Sequence, residues 1–300
     1  MSRVVIPRKL TIISTNVPGP IADGYSAYNA ATTYALSDEV FAEAADGLDH
    51  IYRSALDGNV GNPITDETKW VDIGPCNRDA MFDDRTGTTT THDDDIIVTV
   101  QADGAFDTIA LINVTGATSV SATIAPAGGT PREVTGTLLE DASSWLSYFT
   151  DDLNVRGTKA IWNVGLSFSS ATIEIRINGS APSVGMALIG GTTELGLTEY
   201  GATVGIEDYS TKETDEWGNT YLRERDYADT ADVKIVCELQ QVDALRRIFA
   251  GLRARPALYD MNNPGTSFES LVVFGKYDNF SLDMAYHNQA YCTLRIIGLV

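Results

Sequence analysis

The chain has 300 residues, 43% of them hydrophobic and 9% aromatic, with 41 acidic against 21 basic side chains and a net charge of −20. That length is long for one core and natural for two or three domains, and the composition is that of a folded chain. So negative a surface repels nucleic-acid phosphates and anionic membrane surfaces, no Lys/Arg cluster offers a local exception, and no apolar run approaches the ~20 residues that span a bilayer.

Residues 1–30 are expected to form an arm or leading strand. Met1 to Lys9 carries charge but lacks the apolar stretch of a secretory signal. Lys9-Leu-Thr-Ile-Ile-Ser14 is an apolar extended run, and Pro18-Gly19-Pro20 breaks any regular element.

Residues 31–75 read as a small module of three very short strands with two polar loops. Its landmarks are Tyr34 to Val40, Ile51-Tyr52-Arg53-Ser54-Ala55, Gly58-Asn59 through Gly61-Asn62-Pro63, and Trp70-Val-Asp72-Ile-Gly74-Pro75. Aromatics stand at the strand ends, and so little chain must build most of its core from them. That order resembles the small chitin-binding-type carbohydrate-binding modules, in the version found in bacteriophage tail proteins. It runs on into Asn77-Arg78-Asp79-Ala80-Met81-Phe82-Asp83-Asp84, which also recurs in that setting. The likeness covers about the first third of the chain and departs at Ser37, where the modules usually carry glycine. It implies a compact three-stranded unit with a sugar site. Tyr25, Tyr28, Tyr34, Tyr52 and Trp70 are the natural sugar contacts, because an aromatic plane stacks on the C–H face of a sugar ring. For Trp70 and Tyr52 the favoured reading is the core of so small a unit. Tyr28 and Tyr34 are the better candidates for exposed contacts.

Residues 76–182 are expected to form a β-sandwich. Ile96–Val100, Thr108–Val114, Ser119–Ile124, Lys159–Val164 and Thr172–Ile177 read as strands. Thr108–Val114 is expected to be buried on both faces, and Gly116, Gly128-Gly129, Gly157 and Gly179 stand as turn punctuation. The run Phe106 to Val114 resembles the jelly-roll of galactose-binding-type sandwiches.

Residues 183–300 are expected to form an α+β unit with one helix on a sheet. Gly185–Gly191, Val233–Leu239, Leu271–Phe274 and Tyr291–Val300 read as strands. Between them Val242, Leu245, Ile248, Phe249 and Leu252 fall at helical spacing and Pro256 follows. This order resembles the sheet-plus-helix folds of phage tail-tube and tail-tip ring proteins. The whole is a mainly-β, multidomain chain.

The stretch Tyr209 to Tyr227 mixes both signs of charge with aromatics, and Gly218-Asn219 suggests a hairpin tip. Aromatic and arginine enrichment marks interface cores. Trp217, Tyr221, Arg223 and Arg225 are therefore candidate inter-subunit contacts. Arg246, Arg247, Arg253 and Arg255 on the helix are positioned to pair with acids of a neighbouring subunit in a ring, or to form a solvated face.

Catalytic and metal signatures are weak. Asp83-Asp84 and Asp93-Asp94-Asp95 offer the oxygens calcium wants, without the EF-hand offsets, and solvated loops are the plainer reading. Of His50, His92 and His287, none lies in an HExxH motif. There is no GxSxG elbow, CxxC pair, Walker loop or GxGxxG. His287 and Cys292, five apart along a strand, are expected on opposite faces. Cys76, Cys237 and Cys292 read as reduced, partly buried thiols of a chain folded in cytoplasm, with a Cys237–Cys292 bridge as an alternative. No metal, cofactor or catalysis is expected.

The expected function is that of a structural component of a bacteriophage tail, at the tip or baseplate. It would be made in the host cytoplasm and assemble as a homo-oligomeric ring with other phage tail proteins. The alternative is an adsorption protein that binds host cell-surface polysaccharide. A tail-associated glycan hydrolase ranks third.

Overall fold

The structure is a computed structural model and describes residues 1–138, 158–168, 171–284 and 287–300. Strands β1 (Ser2–Pro7) and β2 (Leu10–Thr15) open the chain. A small sheet follows from β3 (Ser26–Ala27), β4 (Glu39–Glu43), β5 (Asp49–Ser54) and β6 (Trp70–Pro75). Then come β7 (Thr90–Thr91), β8 (Ile96–Ala102), β9 (Phe106–Pro126), β10 (Arg132–Thr137), β11 (Ala160–Phe168) and β12 (Ala171–Thr198). A ribbon of β13 (Thr203–Asp208), β14 (Thr211–Thr214), β15 (Thr220–Arg223) and β16 (Tyr227–Glu238) leads to helix α1 (Val242–Gly251). Strands β17 (Ala257–Asp260), β18 (Val272–Asp283) and β19 (Gln289–Gly298) end the fold.

The fold is mainly β. Its axis is the 28-residue strand β12. One edge of β12 pairs in turn with β8, β7 and β1, and the other with β9 and then β16. From β12 the hydrogen-bonded order runs through β1, β17, β18, β19 and β16 and returns to β12, all antiparallel. Closure of this kind leaves no free edge among those strands.

Three apolar clusters fill the larger body. Ile96, Val98 and Val100 meet Ile109, Leu111, Ile124, Ile173 and Ile175 in the sandwich core. Val4, Leu195, Val233, Ile235, Tyr259 and Leu294 form the second core, on which α1 packs Leu245 and Phe249. Phe249 stacks on Phe280, with ring centroids 4.2 Å apart. The third cluster lies between: Ala110, Ile112, Met186 and Leu188 pack against Val5, Leu258 and Phe274. The run from Thr108 is thus buried on both faces, as its continuous apolar sequence predicts. Ile109 and Leu111 serve the sandwich and Ala110 and Ile112 the intervening layer; Asn113, at φ 54°, breaks the alternation, and Val114 returns to the sandwich core.

Of the two readings of the leading segment, the strand is the one found, because Val4 and Val5 bury on opposite faces of β1 and hold it between β12 and β17. Two features differ from the sequence expectations. Gly116 and Gly179 do not end strands. They lie inside β9 and β12 at a bulge, where an added Cβ on Gly116 would sit 2.5 Å from the Ala181 carbonyl oxygen. The runs on either side are therefore single long strands, and the expected boundary at 182/183 falls inside β12. The small module has four strands, since Ser26 and Ala27 add a parallel partner to Val40 and Phe41. The cysteines Cys76, Cys237 and Cys292 are all free and buried, as the first reading has them and without the alternative bridge.

Candidate assembly surface

The aromatic residues of the module are turned into it. Tyr34, Val40, Tyr52 and Trp70 form its core, with Tyr28 packed against them. Tyr34 is only 7% exposed and Trp70 2%. The Tyr34 and Trp70 rings meet edge to face at 5.2 Å, and Tyr28 meets Trp70 in the same way at 5.6 Å. Their polar atoms are used internally. Tyr28 Oη and Trp70 Nε1 both donate to the Asn62 carbonyl, at 2.8 and 3.1 Å. Tyr34 Oη accepts from Asn29 N at 2.8 Å and donates to Asn29 O at 3.2 Å. Tyr34, expected among the exposed contacts, is instead a core residue. A ring can stack on a sugar or on its neighbours, and with so few aliphatic side chains available the neighbours take it. Tyr28 is half-buried, so only part of it faces solvent.

Below the module, Asp49, Cys76 and Asp79 bring ligand-type atoms within 4.8 Å of one another. Arg78 already occupies the cluster, bonding Asp49 at 2.8 Å and Asp79 at 2.9 Å. Asp79 also accepts from Asp49 N at 3.0 Å and from the Cys76 thiol at 3.4 Å. Burial, with the Asp79 charge beside it, pushes the Cys76 thiol up to about 12. A protonated thiol and a guanidinium among the carboxylates make a closed structural network that suits no cation. Asp83 and Asp95 are engaged too, Asp83 with Thr88 Oγ1 and Asp95 with Gly179 N at the bulge. His287 is exposed while Cys292 is buried, so they form no dyad.

The stretch from Thr203 to Asp232 is different in kind. β13 pairs with β16 along Thr203–Asp208, and beyond a break at Tyr209-Ser210 the ribbon continues as β14 and β15. Every residue of β13 and β15 is exposed, on both faces. The tip is held by Asp215, whose carboxylate accepts from Trp217 N at 3.0 Å and Asn219 N at 2.7 Å. These bonds, the Asn219 side-chain amide first, lower the pKa of Asp215. Gly218 takes φ 83°, which the turn requires. Trp217 is 84% exposed, Leu222 80% and Tyr221 61%, while Ile206 and Tyr227 extend the apolar patch along the ribbon. Sequence reading finds the tip and its aromatics. It misses Ile206 and Leu222, which read as ordinary strand residues.

The arginines complete the surface. Arg246 and Arg247 are exposed on α1, Arg253 is exposed just beyond its end, and Arg223 and Arg225 are exposed on the ribbon. Among the described residues none of these five forms an ion pair. Arg247 and Arg253 donate to backbone carbonyls of α1, Asp243 O and Ala250 O. Cations left unpaired in a chain of net charge −20 are free to meet carboxylates on another molecule. No protein-family model, curated protein or solved structure matches this chain.

Proposed function

We propose that the chain is a structural component of a bacteriophage tail, at the tip or baseplate, which assembles with copies of itself and with neighbouring tail proteins. The tail setting comes from the likeness of residues 34–84 to the module of tail proteins. The assembly role is carried by one observation, the ribbon that presents Trp217, Tyr221 and Leu222 to solvent on both faces. A contiguous exposed apolar patch of this kind, flanked by unpaired arginines, has the composition of an interface core. In this reading the acidic surface keeps the free subunit soluble until it assembles, and no bond is made or broken.

The adsorption alternative has less support, since Tyr34, Tyr52 and Trp70 are buried in the core of the module. The proposal is tested by antibody labelling of phage particles in electron micrographs. Label at the end of the tail is the expected result, and particles free of label overturn it. A saccharide titration of the purified protein separates the alternative, which requires saturable binding.

A further inference from the structure

Resting on that reading of a self-assembling subunit, we infer that the hairpin tip of one copy seats in a cleft beside α1 of a second copy. The cleft has a volume of about 480 Å³ and lies between α1 and the end of β1. That size falls in the range of roughly 300–1,000 Å³ that accepts a ring system. Ile6, Ile248, Leu252 and Pro256 give it an apolar wall, and Arg247 and Arg255 stand on it as cations. Asp84 also lines it. Burial raises the pKa of Asp84, and the two arginines outnumber it.

The tip matches this cleft in shape of chemistry and in sign of charge. From Glu213 to Tyr221 the hairpin carries Glu213, Asp215 and Glu216 and no basic residue. Trp217 stands among these acids, almost wholly exposed on its own chain. An indole entering the cleft would bury against Ile248, Leu252 and Pro256, while Glu216 reaches Arg247 or Arg255. A large aromatic in an apolar pocket, ringed by opposite charges, is the usual form of an interface hot spot. Tip and cleft are different surfaces, so the contact is head-to-tail and propagates to a closed ring or an open filament.

The experiment uses the full chain in light scattering over a concentration series, with Trp217→Ala as the tip variant and Arg247→Glu/Arg255→Glu as the cleft variant. All of these side chains are exposed, and unchanged circular dichroism checks the fold. The wild type is expected to associate, and each variant to lose at least tenfold in association constant. Mixed in equal amounts, the two variants are expected to form a 1:1 dimer and nothing larger, because one intact tip then faces one intact cleft. Glu216→Arg combined with Arg247→Glu is expected to recover association that either reversal alone weakens. If both variants associate like the wild type, the tip-to-cleft contact is overturned while self-assembly stands. If the wild type remains monomeric at every concentration, self-assembly falls and this contact with it.

Discussion

Ser37 carries a left-handed backbone, φ 71°, in the turn before β4, and its N–H donates to Ser54 O at 2.9 Å. A side chain there costs about 1 kcal/mol that glycine avoids. Ser37→Gly is therefore expected to raise stability by about 1 kcal/mol in urea unfolding, and Ser37→Ala to leave it unchanged. Tyr34 asks for the opposite test. Its ring is core, so Tyr34→Ala is expected to cost about 3–5 kcal/mol, whereas Tyr34→Phe loses only its bonds to Asn29, about 1 kcal/mol. A surface sugar contact would show neither loss. The thiols predict a pH response. Burial pushes Cys76 and Cys292 up to about 12, from 9.0 in the unfolded chain. Between those values the folded protein holds more protons than the unfolded one, so stability falls as pH rises through that window. Urea midpoints measured from pH 8 to 11 should decline, and Cys292→Val should flatten the slope.

At the scale of elements, glycine decides where the long strands go. At Gly196, φ 137°, β12 leaves β1 and reaches β16, and an added Cβ would lie 2.1 Å from the Val236 carbonyl oxygen. Gly196→Ala is expected to cost about 2 kcal/mol or more, seen as a lowered thermal midpoint. Excising Thr211–Arg223 and closing the gap with a two-glycine turn should change that midpoint little, because among the described residues β14 and β15 pair only with each other, yet abolish self-association. These cases also mark how far the sequence is legible. Alternation exposes β8 and the first part of β12, and apolar spacing exposes α1, since each reflects one buried face. Gly116 and Gly179 mislead because a bulge and a turn use the same residue, and only the partner strand distinguishes them. The two-residue β3 leaves no pattern at all. In the candidate site, the tip is legible from Gly218-Asn219, whereas the cleft is not, because Ile6 and Ile248 lie 242 positions apart (248 − 6) and only the fold brings them together.

Across the whole molecule, sandwich and closed sheet share β12, so neither half owns its core. Fragments 1–182 and 183–300 cut that strand in two and are expected to be unfolded when expressed apart, by circular dichroism, and to regain structure if at all only on mixing. The small module differs, for among the described residues β3 to β6 pair only with one another. The place of β1 has a further bearing, on synthesis. Val4 and Val5 leave the ribosome long before the positions they face, Thr192 and Thr193 on one side and Leu258 and Tyr259 on the other. Contacts so distant in sequence close slowly. The nascent chain must carry a sticky apolar segment unpaired until those positions are made, with the module folding early beside it. Growth temperature and chaperone supply should therefore govern the yield of soluble protein more than the stability of the finished fold does.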